Sequence, residues 1–178
     1  MSLDYEIQLD ARAATASNAT SPALAAAQRS AHADRGAYAE AKVAEALKSW
    51  ARGSPGREAN RLLDTRAAKR IVRSAPADFE FFCVSPACHG LIEVKSTLHN
   101  FRLAHDKVPQ LPRLRQRASC GGLCAVLVYH STSKVWRSAT VRWLVLALDG
   151  ASWDLTPLDT YPTARAALQG AFPTVFAA

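Results

Sequence analysis

The sequence predicts an α/β fold, and three stretches carry that reading. The segment ADRGAYAEAKVAEALKSWARGSPG has the spacing of an amphipathic helix. LCAVLVYH, residues 123–130, is apolar on both faces, as a central strand covered on both sides should be. Two further apolar runs, 78–84 and 91–97, flank the stretch SPACHG and read as neighbouring strands, with Pro86 and Gly90 as breakers. At 178 residues the chain is long enough for one α/β domain with a real core and short for two.

Composition narrows the class of partner. Hydrophobic residues make up 49% and charged residues 21% of the chain, as expected of a globular protein. The net charge of +7 and a sequence pI near 9.6 point to a polyanion, nucleic acid before an anionic membrane. No run approaches the roughly 20 apolar residues of a membrane span, so no membrane partner is expected. The N-terminus opens with Asp4 and Glu6 and lacks a basic start with an apolar stretch behind it, so it does not read as a secretory signal. A cytoplasmic protein whose four cysteines are thiols or metal ligands is the expectation.

In chain order, residues 1–30 are rich in Ala, Ser and Thr and read as a flexible or loosely packed arm. Residues 31–178 read as a single domain. Asp34 can cap the first helix, and Gly53 with Pro55 ends it. Val43, Ala44, Leu47, Trp50 and Ala51 form its apolar stripe. Glu40 falls near the middle of that stripe and Glu45 on the opposite, lysine-bearing side. Glu40 is therefore either a carboxylate at the core's edge with a partner, or a sign that the stripe is centred elsewhere on the helix. A basic segment follows with Arg52, Arg57, Arg61, Arg66, Lys69, Arg70 and Arg73. After the two central runs comes a short basic helix over about Leu111–Ser119, stopped by Gly121 and Gly122. KVWRS (134–138) is expected to be another strand, 140–148 is ambiguous between strand and helix, and 162–172 is expected to be a short helix.

Charge inside the central runs poses the functional question. Asp78 heads one run, and Glu93 and Lys95 sit inside the other, where burying charge is costly. Alternation puts Leu91, Glu93 and Lys95 on one face of the strand and Ile92 and Val94 in the core. Asp78 can approach Glu93 from the adjacent strand. Two carboxylates this close repel unless a cation lies between them. A divalent metal removes that penalty, and hard oxygen ligands favour Mg²⁺ or Mn²⁺ over zinc. The Val94 carbonyl is a further candidate ligand. Such a site suits phosphodiester hydrolysis, with Lys95 orienting water or stabilising the transition state. A cross-strand salt bridge is the alternative use of the same three charges.

Asp78 followed by Glu93-Val94-Lys95 resembles the motif of the PD-(D/E)xK nuclease superfamily, with Pro76-Ala77-Asp78 in place of Pro-Asp and one residue inserted. Gly36-Ala37-Tyr38-Ala39-Glu40 resembles the upstream helix whose glutamate completes the metal site. Glu93 to Thr97, Phe101-Arg102-Leu103, Gln116 and the apolar strand together resemble RecU-type Holliday-junction resolvases. The resemblance covers roughly residues 34–138. It implies a restriction-endonuclease-like α/β core, a central mixed sheet flanked by helices. It also implies Mg²⁺-dependent cleavage of branched DNA by a homodimer that makes paired nicks in a four-way junction. Asp78, Glu93 and Glu40 would bind the metal with the Val94 carbonyl. Lys95 would position water, and Gln116 would contribute to the site. A restriction-like or repair nuclease acting on duplex or flapped DNA, and a non-catalytic DNA-binding module of the same fold, are the rival readings.

Arg66, Lys69, Arg70, Arg73, Arg102, Arg113, Arg115 and Arg117 are the candidate phosphate contacts, and they predict salt-sensitive binding. His99 and His105 follow the motif and could approach DNA. Cys83, Cys88, His89, Cys120 and Cys124 lack the tight spacing of a zinc site, so buried thiols are expected instead.

Overall fold

A computed structural model describes residues 22–62, 75–98, 101–147 and 150–177. By its internal contacts the chain divides into two units, Met1–Asp34 and Arg35–Ala178. In the first unit the described residues are helical. Helix α1 runs Pro22–Arg52, so Asp34 lies inside it and does not cap its start. The Ala-rich stretch before Asp34 favours helix, and a proline is tolerated in a first turn, where its missing N–H is not needed.

The second unit is built on a five-stranded sheet. Its strands are β1 (Arg57–Arg61), β2 (Phe79–Val84), β3 (Ala87–Thr97), β5 (Leu123–His130) and β6 (Val135–Thr140), in the spatial order β1-β2-β3-β5-β6. β3 and β5 pair in parallel, and the other neighbours are antiparallel. The sheet is therefore mixed, and with helices on its faces the α/β expectation holds. The parallel crossover runs through β4 (Arg102–Ala104), which pairs with β7 (Ser152–Asp154), and through helix α2 (Leu111–Ser119). The ambiguous 140–148 region divides at Thr140, where its hydroxyl accepts the Trp143 N–H and caps α3 (Val141–Leu146). α4 (Ala164–Ala171) and α5 (Pro173–Phe176) complete the chain.

β3 begins earlier than the sequence suggested. Gly90 is not a breaker but a buried strand residue paired with Phe81. A Cβ at Gly90 would lie 2.1 Å from Cζ of Phe81 and 2.8 Å from the Leu123 carbonyl oxygen. Glycine is required there because an aromatic ring and a neighbouring backbone occupy the space, which is one of the uses of glycine within a strand.

The two faces of the sheet have different cores. On one, Ala39, Val43, Leu47 and Trp50 of α1 meet Phe81, Ile92, Val94 and Leu127, together with Leu168, Phe172 and Phe176. The Trp50 indole N–H donates to the Val175 carbonyl at 3.0 Å, tying α1 to α5. The other face holds Leu91, Val126, Val128 and Ala139 beneath Leu114 of α2, Leu144 of α3 and Trp153 of β7. Both faces of β3 are thus covered, and Leu91 and Glu93 are as buried as Ile92. The alternation was read correctly, but the face assigned to the charges is not an open one.

Candidate active site

β3 outruns β2 by several residues, and the charged residues gather at that step. The register of the pair ends at Phe79 opposite Ile92. The Asp78 N–H still donates to the Ile92 carbonyl at 3.2 Å. Two residues on, the Val94 N–H has no strand to meet and donates instead to Oδ2 of Asp78 at 2.7 Å. A strand residue directs its N–H and C=O to the same side, so the Val94 carbonyl faces the same edge as Asp78. The short second strand is what turns Asp78 from a sheet residue into a side-chain ligand of β3.

Glu93 is fully buried, with 0% exposure. Its Oε1 accepts from Nζ of Lys95, while Oε2 is buried without a hydrogen-bond partner. Burial, reinforced by the charge of Asp78, pushes the Glu93 carboxyl up to about 7 against the pull of Lys95, and Glu40 pushes in the same direction as Asp78. Glu40 is half-buried at the margin of the helix stripe, not at its middle, since Ala39 and Val43 occupy the covered centre. Its carboxyl is also raised, by burial first and by Asp78 second, with Arg61 and Lys95 opposing. Arg61, at the end of β1, forms an ion pair with Glu40. Glu45 is exposed and pairs with Lys42 at 2.9 Å, as its lysine-bearing side predicted.

Asp78, Glu93, Glu40 and Lys95 thus form one electrostatically coupled group. Among the described residues no three acidic, thiol or imidazole side chains stand close enough together to hold a metal as they are placed. The donor chemistry nonetheless suits a hard cation: carboxylate oxygens, a backbone carbonyl on the same edge, and a buried Glu93 oxygen lacking any partner. Asp78, Glu93 and Glu40 are the residues that would hold Mg²⁺ or Mn²⁺.

No protein-family model matches the chain, and no curated protein sequence matches it. Among solved structures it is similar to the Holliday junction resolvase Hjc of the archaeal hyperthermophile Archaeoglobus fulgidus, with 22% identity and a TM-score of 0.38 over 58% of this chain and 73% of that one.

Gln116 lies exposed on α2, whose bounds are those read from the sequence. With Arg113, Arg117, Leu91 and Pro76 it lines a groove of about 370 Å³ that opens two residues from Asp78. Arg115 is exposed on the same helix, and Arg102 is exposed on β4 opposite Asp154. Arg66, Lys69, Arg70, Arg73 and His99 lie outside the described residues. The His105 ring lies against that of Trp153, tilted at 56° with 4.1 Å between ring centres. Cys83 and Cys124 are buried thiols, Cys88 is partly covered and Cys120 is exposed.

Sequence reading missed two buried polar residues on the same face. Arg137 donates to the Leu155 and Thr156 carbonyls at 2.7 and 3.1 Å, and to that of Leu158. It thereby holds the segment after β7 against the sheet. His130 bonds Thr97 through Nδ1 at 3.0 Å, and burial followed by the Arg137 charge lowers its pKa. The signal was present in both cases, because alternation along β5 and β6 puts each in line with core residues. Arg61 was read only as one residue of the basic segment over 52–73. Its pairing with Glu40 joins residues 21 positions apart, which no local pattern reveals.

Proposed function

We propose that the chain is a Mg²⁺-dependent, structure-selective DNA endonuclease that resolves four-way junctions by paired nicks and acts as a homodimer. The observation that carries the proposal is Glu93: a carboxyl with no exposure, one oxygen on Lys95 and the other unpartnered. A structural salt bridge would satisfy both oxygens, since a buried unpaired carboxylate oxygen is costly. A cation site explains the orphan oxygen, the neighbouring Asp78 and the nearby half-buried Glu40 together. The motif's resemblance to PD-(D/E)xK nucleases and the basic charge of the chain support the same reading.

When bound, the divalent ion supplies charge screening at the scissile phosphate and a more acidic water. The protein's own residues do the rest. Asp78 is fixed by the Val94 N–H, so its carboxylate is oriented before any ligand arrives. Lys95, held by Glu93, presents an ammonium that orients the attacking water or donates to charge developing on the phosphate as the P–O bond breaks. Arg113 and Arg117 line the groove beside Pro76 and give the strand a place to lie. Two symmetric nicks across a junction require two such sites, which is the reason for a homodimer.

The lack of three converged ligands among the described residues favours a second reading, a DNA-binding module of this fold without chemistry. Cleavage of end-labelled four-way junction, linear duplex, flapped duplex and single strands in Mg²⁺ separates the two. Paired nicks in the junction alone support the proposal. Equal cutting of duplex or flap keeps the nuclease and removes the junction. Binding without cutting in either Mg²⁺ or Mn²⁺ establishes the module.

A further inference from the structure

We propose that a second cavity, between α1 and α4, holds one unpaired nucleotide of a DNA strand, with its base against Tyr38 and its phosphate among Lys42, Lys134 and Arg165. The inference rests on the DNA-binding part of the proposed function and names a contact that the nuclease motif does not contain.

The cavity measures about 540 Å³, within the roughly 300–1,000 Å³ of small-ligand sites. Its wall is aromatic. The Tyr38 ring lies 5.2 Å from that of Tyr129, and Tyr129 lies 5.0 Å from Trp136. Tyr129 and Trp136 are buried, but Tyr38 is 49% exposed. Tyr38 thus offers a half-exposed aromatic ring that touches the buried ring of Tyr129, and such a ring can serve as a stacking platform for a base. A paired base has its faces and edges already engaged in the duplex, so only an unpaired one can use this platform.

Charge at the rim selects an anion. Lys42, Lys134 and Arg165 line the cavity with Glu45 as the acidic residue there. Glu45 is committed to Lys42 at 2.9 Å, and among the described residues neither Lys134 nor Arg165 has an acidic partner. Lys134 also sits in the left-handed region at φ 55, where glycine is the less strained residue. The turn between β5 and β6 therefore carries a cation at a position that favours glycine. α1 separates this cavity from the carboxylate group. Glu40 is directed toward Arg61 of β1, and Tyr38 toward Tyr129 of β5.

The test uses the full chain in EDTA, so that DNA is bound and not cut. Fluorescence anisotropy compares blunt duplex with the same duplex bearing a single-stranded thymidine tail. The double variant Lys134→Gly/Arg165→Ala should bind the tailed DNA about tenfold more weakly and lose less than about twofold on blunt duplex. Tyr38→Leu should cost about tenfold on the tail alone. Lys134→Gly relieves the left-handed strain, so its thermal midpoint should not fall, and weaker binding cannot then be assigned to unfolding. Unchanged binding, equal loss on both DNAs, or displacement of the tail by dTMP at the tail's own affinity would overturn the inference. Tail-dependent loss in a protein that cuts no DNA would sustain the cavity and sink the nuclease. Normal cutting with pocket variants that bind like wild type would do the reverse.

Discussion

The two faces of the sheet share the same strands and are built on opposite principles. The face under α1, α4 and α5 is apolar and rich in aromatics. Phe81 meets Trp50 edge-on at 5.9 Å and lies 5.4 and 5.2 Å from Phe172 and Phe176. The face under α2 and α3 carries Glu93, His130 and Arg137, the buried charged or polar residues among those described. Each of the three leaves a side-chain atom without a partner: Oε2 of Glu93, Nε2 of His130 and Nε of Arg137. One face is optimised for burial. The other holds polar groups incompletely satisfied, a cost expected where a site must accept a ligand.

The largest effect should come from the polar face. On the proposed nuclease reading, Asp78→Asn or Glu93→Gln should reduce the rate of junction cleavage by at least about 10³-fold, as several kcal/mol of charge stabilisation is lost. Lys95→Ala should cost about 10²–10³-fold. Both are read in single-turnover assays, and rates near wild type for all three variants would erase the distinction between the faces. On the apolar face, Phe81→Ala should lower stability by about 3–5 kcal/mol through a cavity, measured by denaturant melts. That loss should be nearly the same at every pH.

Metal-free stability should separate the faces further. Burial and Asp78 push the Glu93 carboxyl up to about 7 in the folded chain, from an ordinary 4.5, so the folded state holds a proton that the unfolded chain releases. Stability from this group is full below about pH 4.5 and is lost as pH rises through 7, by on the order of 3 kcal/mol. Glu40 shifts in the same direction. Melting temperatures without metal should therefore fall from pH 5 to pH 8, Mg²⁺ should restore them at pH 8, and Glu93→Gln should flatten the profile. The smallest effect belongs to Arg113→Ala and Arg117→Ala. Each should weaken all DNAs alike and lower the salt slope of binding by about 1.

Much of this contrast was legible in the sequence. The helix carrying Glu40, the strand 123–130 and the short basic helix were set by periodicity and by glycine and proline stops. Asp78, Glu93 and Lys95 stood out because charge interrupts apolar runs. What local pattern could not supply was the third dimension. Gly90 looked like a breaker, yet it is a strand residue because the Phe81 ring lies over it. Glu40 was placed at the centre of the stripe, but packing rotates the helix so that Ala39 and Val43 take that position. The outward face of β3 was not known to be covered, because α2, α3 and β7 come from distant segments. Arg137 and the Glu40–Arg61 pair depend on the same long-range assembly.

The measurement that bears most directly on the account is Mn²⁺ titration at pH 7.5, followed by electron paramagnetic resonance, on wild type, Glu93→Gln and Lys95→Ala. The account predicts saturable Mn²⁺ binding in wild type that is lost in Glu93→Gln and retained in Lys95→Ala. No binding in wild type, or binding that survives Glu93→Gln, would make the buried pair of Glu93 and Lys95 a structural salt bridge and contradict the assignment of this face as a metal centre.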